Sequence, residues 1–183
     1  KMYANAVENM QIGLYIWQLS SKDGEDTLRL IGSNPAAFAA TGVDTEALVG
    51  KPIEDIFPAL VDTDIPQTYI QVARSGQKRD LGEIVYGDEN IEQSTFTVKA
   101  FPLSNQCVGI AFENVTERRQ YEQAHREQEE QLRIIFNQAG IGMARLSTTG
   151  QWIQVNQKLC HLLEYSNSEL LEKTLSEITH PED

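Results

Sequence analysis

Apolar residues run Cys107-Val-Gly-Ile-Ala-Phe112 and then nearly stop. From Glu113 onward charged residues and Gln dominate, and after Thr116 no Gly or Pro occurs until Gly140. The pattern predicts a strand passing directly into a long solvated helix, from about Glu117 to Phe136. Thr116 is placed to cap it and Glu117 suits its positive end, whereas Arg119 stands where a capping box needs Glu or Gln. Glu122 with Arg126 and Glu129 with Arg133 are expected i,i+4 pairs. Tyr121, Ala124, Gln128, Gln131 and Ile135 recur at 3-4-3-4 spacing. That stripe fits either a solvated linker or a weak coiled-coil seam that pairs with its own copy.

Upstream of that junction the pattern predicts five strands and several short helices. Gly13 to Ser20 and Thr27 to Ser33 read as strands around the turn Lys22-Asp-Gly-Glu-Asp26. Three more follow, at about Lys78 to Tyr86, Ile91 to Phe101 and Cys107 to Phe112, joined by Gly87-Asp-Glu-Asn90 and Leu103-Ser-Asn-Gln106. Pro35 after Asn34 predicts a short helix over Ala36 to Thr41, ended by Gly42. Asp44 or Thr45 caps another to Val49, and Pro52 to Phe57 forms a third. Ile65, Tyr69 and Val72 share one face of a longer helix to Ser75, and Tyr3, Val7 and Met10 suggest a lead-in helix. The expected class is α+β: a five-stranded antiparallel sheet with short helices on one face.

The chain repeats itself. Placing Asn34 on Asn156 keeps register without a gap to Pro58 and His180, with Leu48 on Leu170, Lys51 on Lys173 and Ile56 on Ile178. Gly13 with Leu19-Ser20 echoes Gly142 with Leu146-Ser147, the first copy having the longer hairpin. The expected division is a complete domain over 1–116, a connecting helix over 117–137, and the first half of a second domain over 138–183. That second half offers two strands and three short helices. Met143, Leu146, Trp152 and Val155 are therefore expected to lack cover, and an open strand edge of this kind tends to pair elsewhere.

A net charge of −12 and the lack of a basic stripe argue against a nucleic-acid surface. Nothing resembles a signal peptide or an apolar run long enough to span a bilayer, so the expected location is the cytoplasm, without membrane contact from this stretch. Cys107 and Cys160 suit a reducing compartment as small packing residues, although sequence leaves a disulfide open.

The element order, Asn34 opening the first short helix, and Asn114-Val-Thr-Glu-Arg-Arg119 after the last strand resemble the PAS domain family. The second copy resembles it through Gly140-Ile-Gly-Met-Ala, Gly150-Gln-Trp-Ile-Gln-Val-Asn156, Leu163-Glu-Tyr-Ser166, Glu169-Leu170 and His180-Pro-Glu-Asp183. The resemblance implies a sensory module of a histidine kinase, a cyclic-dinucleotide enzyme such as a diguanylate cyclase, or a similar transducer. It also implies that an Asp-X-Thr motif couples the last strand to the output helix. Here the positions are Asn114, Val115 and Thr116, and Asn cannot form an ion pair. The implied relay residues are Asn114, Thr116, Glu117, Tyr121 and Ala124.

No catalytic set survives inspection. Cys160 and His161 are helical neighbours that do not face each other, and no phosphate loop or metal-ligand spacing occurs. No enzymatic activity is expected of this chain. His125, His161 and His180 all lie outside the first domain, which argues against a histidine-ligated haem there. The cysteine-bearing flavin motif of the light-sensing branch is absent too. Trp17, Leu30, Phe38, Tyr69, Val72, Tyr86, Phe96 and Val98 lie on the elements that surround the family's pocket. They either fill the core or line a small-molecule cavity, and Trp17, Tyr69 and Tyr86 matter most because a buried hydroxyl or indole N–H needs a partner. The functional expectation is a sensing and dimerising module that signals through its connecting helix. The alternative is a ligand-free interaction scaffold.

Overall fold

The computed structural model describes residues 7–22, 25–89 and 91–179, without the side chains of Lys22 and Glu46. Tyr3 of the expected lead-in helix, the centre of the first turn, Asn90 and His180-Pro-Glu-Asp183 lie outside the described residues. Two compact units form, Lys1–Arg119 and Gln120–Asp183.

In the first unit, strands β1 (Gly13–Lys22), β2 (Glu25–Ser33), β3 (Arg79–Tyr86), β4 (Ser94–Leu103) and β5 (Cys107–Asn114) make one antiparallel sheet in the order β2-β1-β5-β4-β3. The first and last strands are therefore central neighbours, with Gly13 opposite Phe112. Helices α1 (Pro35–Thr41), α2 (Ile53–Ile56) and α3 (Ile65–Ser75) cover one face. Alternate residues explain the layering. Tyr15, Trp17 and Leu19 of β1, Phe96, Val98 and Ala100 of β4, and Val108, Ile110 and Phe112 of β5 are buried in one core. From α3, Tyr69, Ile70 and Val72 complete it. Gly42 and Gly76 end α1 and α3 in the left-handed region, at φ 73° and 70°, where a side chain is disfavoured.

Three local expectations need correction. β4 begins at Ser94 rather than Ile91, because Asp88 closes the loop: its Oδ1 accepts from Ile91 N at 2.9 Å and its own N–H donates to Ile91 O at 3.0 Å. The second short helix is a 3-10 turn, Glu46–Leu48, and Thr45 does not cap it because its hydroxyl is bonded to Ser33 Oγ. Thr116 does not cap the long helix, whose first bond runs from Arg119 N to Val115 O.

That helix, α4 (Thr116–Gln138), has 23 residues and no buried side chain. Neither expected i,i+4 ion pair forms. Arg133 meets Glu130 at 3.0 Å, Glu129 faces His125 at 3.8 Å, and Arg126 donates to the Glu122 carbonyl.

The second unit contains β6 (Ala144–Leu146) and β7 (Trp152–Val155), paired antiparallel, and helices α5 (Gln157–Leu163), α6 (Asn167–Leu171) and α7 (Leu175–Ile178). It repeats the first in detail. The isolated bridge Arg29–Pro52 recurs as Gln151–Thr174. The bond from Lys51 N to Leu48 O recurs from Lys173 N to Leu170 O. Met143 and Leu146 are each 37% exposed, but Trp152 and Val155 are buried, contrary to the expectation. Leu170 on α6 is fully buried against them, with Leu159, Leu163 and Ile178 around the cluster.

So small a core makes Leu170 decisive. Leu170→Ala is expected to cost about 2–5 kcal/mol. Hydrogen exchange is expected to lose its protection over 144–178 and keep it over 13–112. Equal loss in both stretches would show that the two units are not separate.

Candidate functional site

A cavity lies between the sheet and the helices of the first unit. Its floor is Tyr15 and Trp17 of β1, Ile84 and Tyr86 of β3, Phe96 and Val98 of β4, and Ile110 and Phe112 of β5. Its roof is Thr41, Ile53, Phe57, Leu60, Ile65 and Tyr69. Five of the eight residues expected at such a pocket line it: Trp17, Tyr69, Tyr86, Phe96 and Val98. Leu30 and Val72 are buried in the same core but away from the cavity. Phe38 is 54% exposed on α1, because that helix turns Ala37 rather than Phe38 to the core.

Sequence reasoning missed Tyr15 and Phe57, the centre of the aromatic wall. Tyr15 stacks on Phe112 with centroids 4.9 Å apart and a 24° tilt. Phe57 meets Tyr15 at 5.4 Å, Tyr86 at 5.7 Å and Trp17 at 6.1 Å. Tyr15 was legible as the residue two before Trp17 on an alternating strand. Phe57 was not, because it stands past the end of the short helix expected over Pro52 to Phe57, which stops at Ile56, and no period describes the turn into Pro58.

The cavity volume is about 70 Å³ and its walls are almost wholly apolar. Pockets for drug-sized ligands run to about 300–1,000 Å³, whereas a single water needs about 10–15 Å³. As it stands the space suits a molecule of a few heavy atoms or some waters, and is far too small for a haem or flavin.

Three tyrosines bring the polar atoms. Thr41 Oγ1 donates to Ala37 O at 2.8 Å, so its 2.9 Å bond with Tyr15 is one in which Tyr15 donates. Burial pushes Tyr15 up to about 12, with the Thr41 bond offsetting part of the effect. Tyr86 donates to Asp88 Oδ2, and burial reinforced by that carboxylate raises it well above the usual tyrosine range. Tyr69 is 5% exposed and its hydroxyl has no hydrogen-bond partner among the described residues. Burial alone raises it.

A second constellation sits where β5 becomes α4. Asn114 Oδ1 accepts from Thr116 N at 3.0 Å and from Thr116 Oγ1 at 2.7 Å. Thr116 Oγ1 in turn accepts from Thr95 N on β4 at 2.8 Å, and Val115 N donates to Thr95 O at 2.8 Å. The junction is thus held without charge on Asn114. The charge lies one turn on, where Arg119 grips Glu83 of β3 through Nε and Nη2, at 2.9 and 2.5 Å. Glu117, Tyr121 and Ala124 are exposed, Tyr121 at 76%.

Among the described residues no group of His, Cys, Asp and Glu side chains could hold a metal ion, and no helix is long and apolar enough to cross a membrane. Both cysteines are free, Cys107 buried and Cys160 half-buried.

Comparison with known proteins agrees with the fold. The family profile of the PAS domain matches residues 13–117, and a second PAS domain profile matches residues 130–183. A stretch of 57 residues, 31% of the chain, is 44% identical to the "Probable diguanylate cyclase DgcE" of Escherichia coli (strain K12), and spans only 5% of that protein's length. Among solved structures, an RNA-binding light-oxygen-voltage receptor is similar over 71% of this chain and 37% of that one, with a TM-score of 0.52 and 15% identity. A PAS domain from Colwellia psychrerythraea is similar over 63% of this chain and 96% of its own, with a TM-score of 0.48 and 17% identity.

The buried tyrosines imply an alkaline sensitivity. Tyr15 keeps its proton in the folded domain to about pH 12, against about 10 in an unfolded chain. Between those values the unfolded state binds fewer protons, so stability falls as pH rises through this window and is unaffected below it. Urea midpoints are expected to fall more steeply from pH 10 to 12 in the wild type than in Tyr15→Phe. Parallel declines would overturn the assignment.

Proposed function

The chain belongs to the PAS domain family, and from that premise we propose that its complete domain is the sensing and dimerising module of a signal-transduction protein. In this reading the state of the core passes through α4 to an output domain of the histidine kinase or diguanylate cyclase type, and catalysis belongs to that domain. The observation that carries the reading is the junction: Thr95, Asn114 and Thr116 bond the first turn of α4 to the sheet. A shift in β4 or β5, both of which wall the cavity, therefore moves the start of the helix.

The unpartnered Tyr69 hydroxyl supports sensing. Tyr69 lines an otherwise almost wholly apolar cavity, and a ligand with a hydrogen-bonding group would pair with its hydroxyl there. The second reading, a ligand-free scaffold, draws its support from the small volume of the cavity. Native mass spectrometry of gently purified protein separates the two: a small molecule retained by the wild type and lost in Tyr69→Phe favours sensing, and a consistently empty domain favours the scaffold.

Self-association through α4 fits its surface. An isolated helix that buries nothing is marginal in water, since most helical stability comes from packing a face. Tyr121, Leu132 and Ile135 are 76%, 60% and 65% exposed, and a second copy of the same helix would cover the Tyr121–Ile135 seam. Gln128 and Gln131 keep that seam weak, which lets two packings lie close in energy.

The decisive experiment inserts residues after Gln123 in the full-length parent protein and reads output activity. Insertions of one or two residues rotate the downstream half of the helix, and seven nearly restore its phase. Output is expected to change with the first two and return with the third. Equal output from all three would make α4 a passive spacer.

A further inference from the structure

The two copies share a side chain that does more than begin a helix. Asn156 is fully buried and uses all of its hydrogen-bonding capacity. Its Oδ1 accepts from Leu159 N, at the start of α5, and from Met143 N, each at 2.9 Å. Its Nδ2 donates to Ile141 O at 2.9 Å and to Phe136 O at 2.8 Å. The two N–H groups can only donate and the two carbonyls can only accept. The amide orientation is therefore dictated, and a flipped Asn would lose all four bonds.

Phe136 lies in the last turn of α4, where helix carbonyls have no partner within the helix. Asn156 thus caps the start of one helix and the end of another, and holds the segment leading into β6 between them. Asn34 repeats the arrangement. Its Oδ1 accepts from Ala37 N at 3.0 Å and Leu14 N at 2.8 Å, and its Nδ2 donates to Ile12 O at 2.9 Å and Val7 O at 3.2 Å. Val7 is helical and stands to Asn34 as Phe136 stands to Asn156.

We propose that Asn34 and Asn156 are positioning residues that latch each PAS unit to the helix arriving at it. The end of α4 and the β6–α5 segment then open and close as one body. Thr116 bonds the first turn of α4 to the first unit's sheet, and Asn156 bonds its last turn within the second unit. The helix has no slack at either end, and displacement at one end either reaches the next core or breaks the latch. This consequence rests on the relay reading above, whereas the latch itself does not.

Asn156→Asp is the selective test. Asp is a good helix cap and keeps both acceptor contacts, but its carboxylate cannot donate to the Phe136 and Ile141 carbonyls. In the full 183-residue chain, exchange over 130–138 is expected to rise about tenfold or more, while exchange over 157–163 stays within about twofold. No change over 130–138 overturns the proposal. Should the small second unit unfold altogether, Asn34→Asp in the complete first domain decides. Selective loosening of 7–12 with 35–41 intact supports the latch, and equal loosening or none overturns it. Selective loosening over 130–138, combined with output that ignores helix phase, would support the latch and overturn the relay.

Discussion

The ladder between β1 and β5 is the constraint on which the rest depends. It puts the first and last strands of the complete domain side by side at the centre of the sheet, and it brings the arriving chain at Gly13 opposite the departing chain at Phe112. Gly13 makes that possible. A Cβ there would come within 2.6 Å of the Phe112 ring, which instead lies over the bare backbone and stacks on Tyr15. The ring is both the seal of the ladder and part of the cavity wall. Two residues after it, Asn114 begins the network that holds α4. Core, cavity and exit helix are thus neighbours along one strand.

The cavity is walled by the same strands. Aromatic rings from β1, β3, β4, β5 and the loop before Pro58 meet edge to face and tilted around it. The polar atoms left at the edge of that space are hydroxyls. Two of them are answered by the protein, Tyr15 by Thr41 and Tyr86 by Asp88. The third, that of Tyr69, has no hydrogen-bond partner among the described residues, so it is the one of the three left for a ligand to engage.

The internal repeat works as a control within one chain. Among the described residues the second copy pairs two strands, and it keeps the Asn bonds, the isolated bridge and the turn bonds of the first. These features belong to the shared segment and do not need the finished sheet. The Trp152 indole N–H is buried without a partner, in the position that Leu30 fills in the first copy.

Much of this was legible in the sequence. The helix over Ile65–Ser75 follows from apolar spacing and a terminating glycine, and the long helix follows from an uninterrupted polar run. The repeat was legible because Asn34 and Asn156 stand in one ungapped register. Local chemistry determines such features: side-chain period, proline and glycine geometry, and capping depend on residues within a few positions. The rest needed the third dimension. Phe57 reaches the cavity centre, Phe38 turns to solvent, Glu83 meets Arg119 across the sheet, and one asparagine ties three segments together. The Phe57 and Glu83–Arg119 contacts join residues far apart in sequence, and the strand order β2-β1-β5-β4-β3 brings these within contact distance, whereas the exposure of Phe38 and the asparagine bonds are set by how segments pack rather than by local pattern.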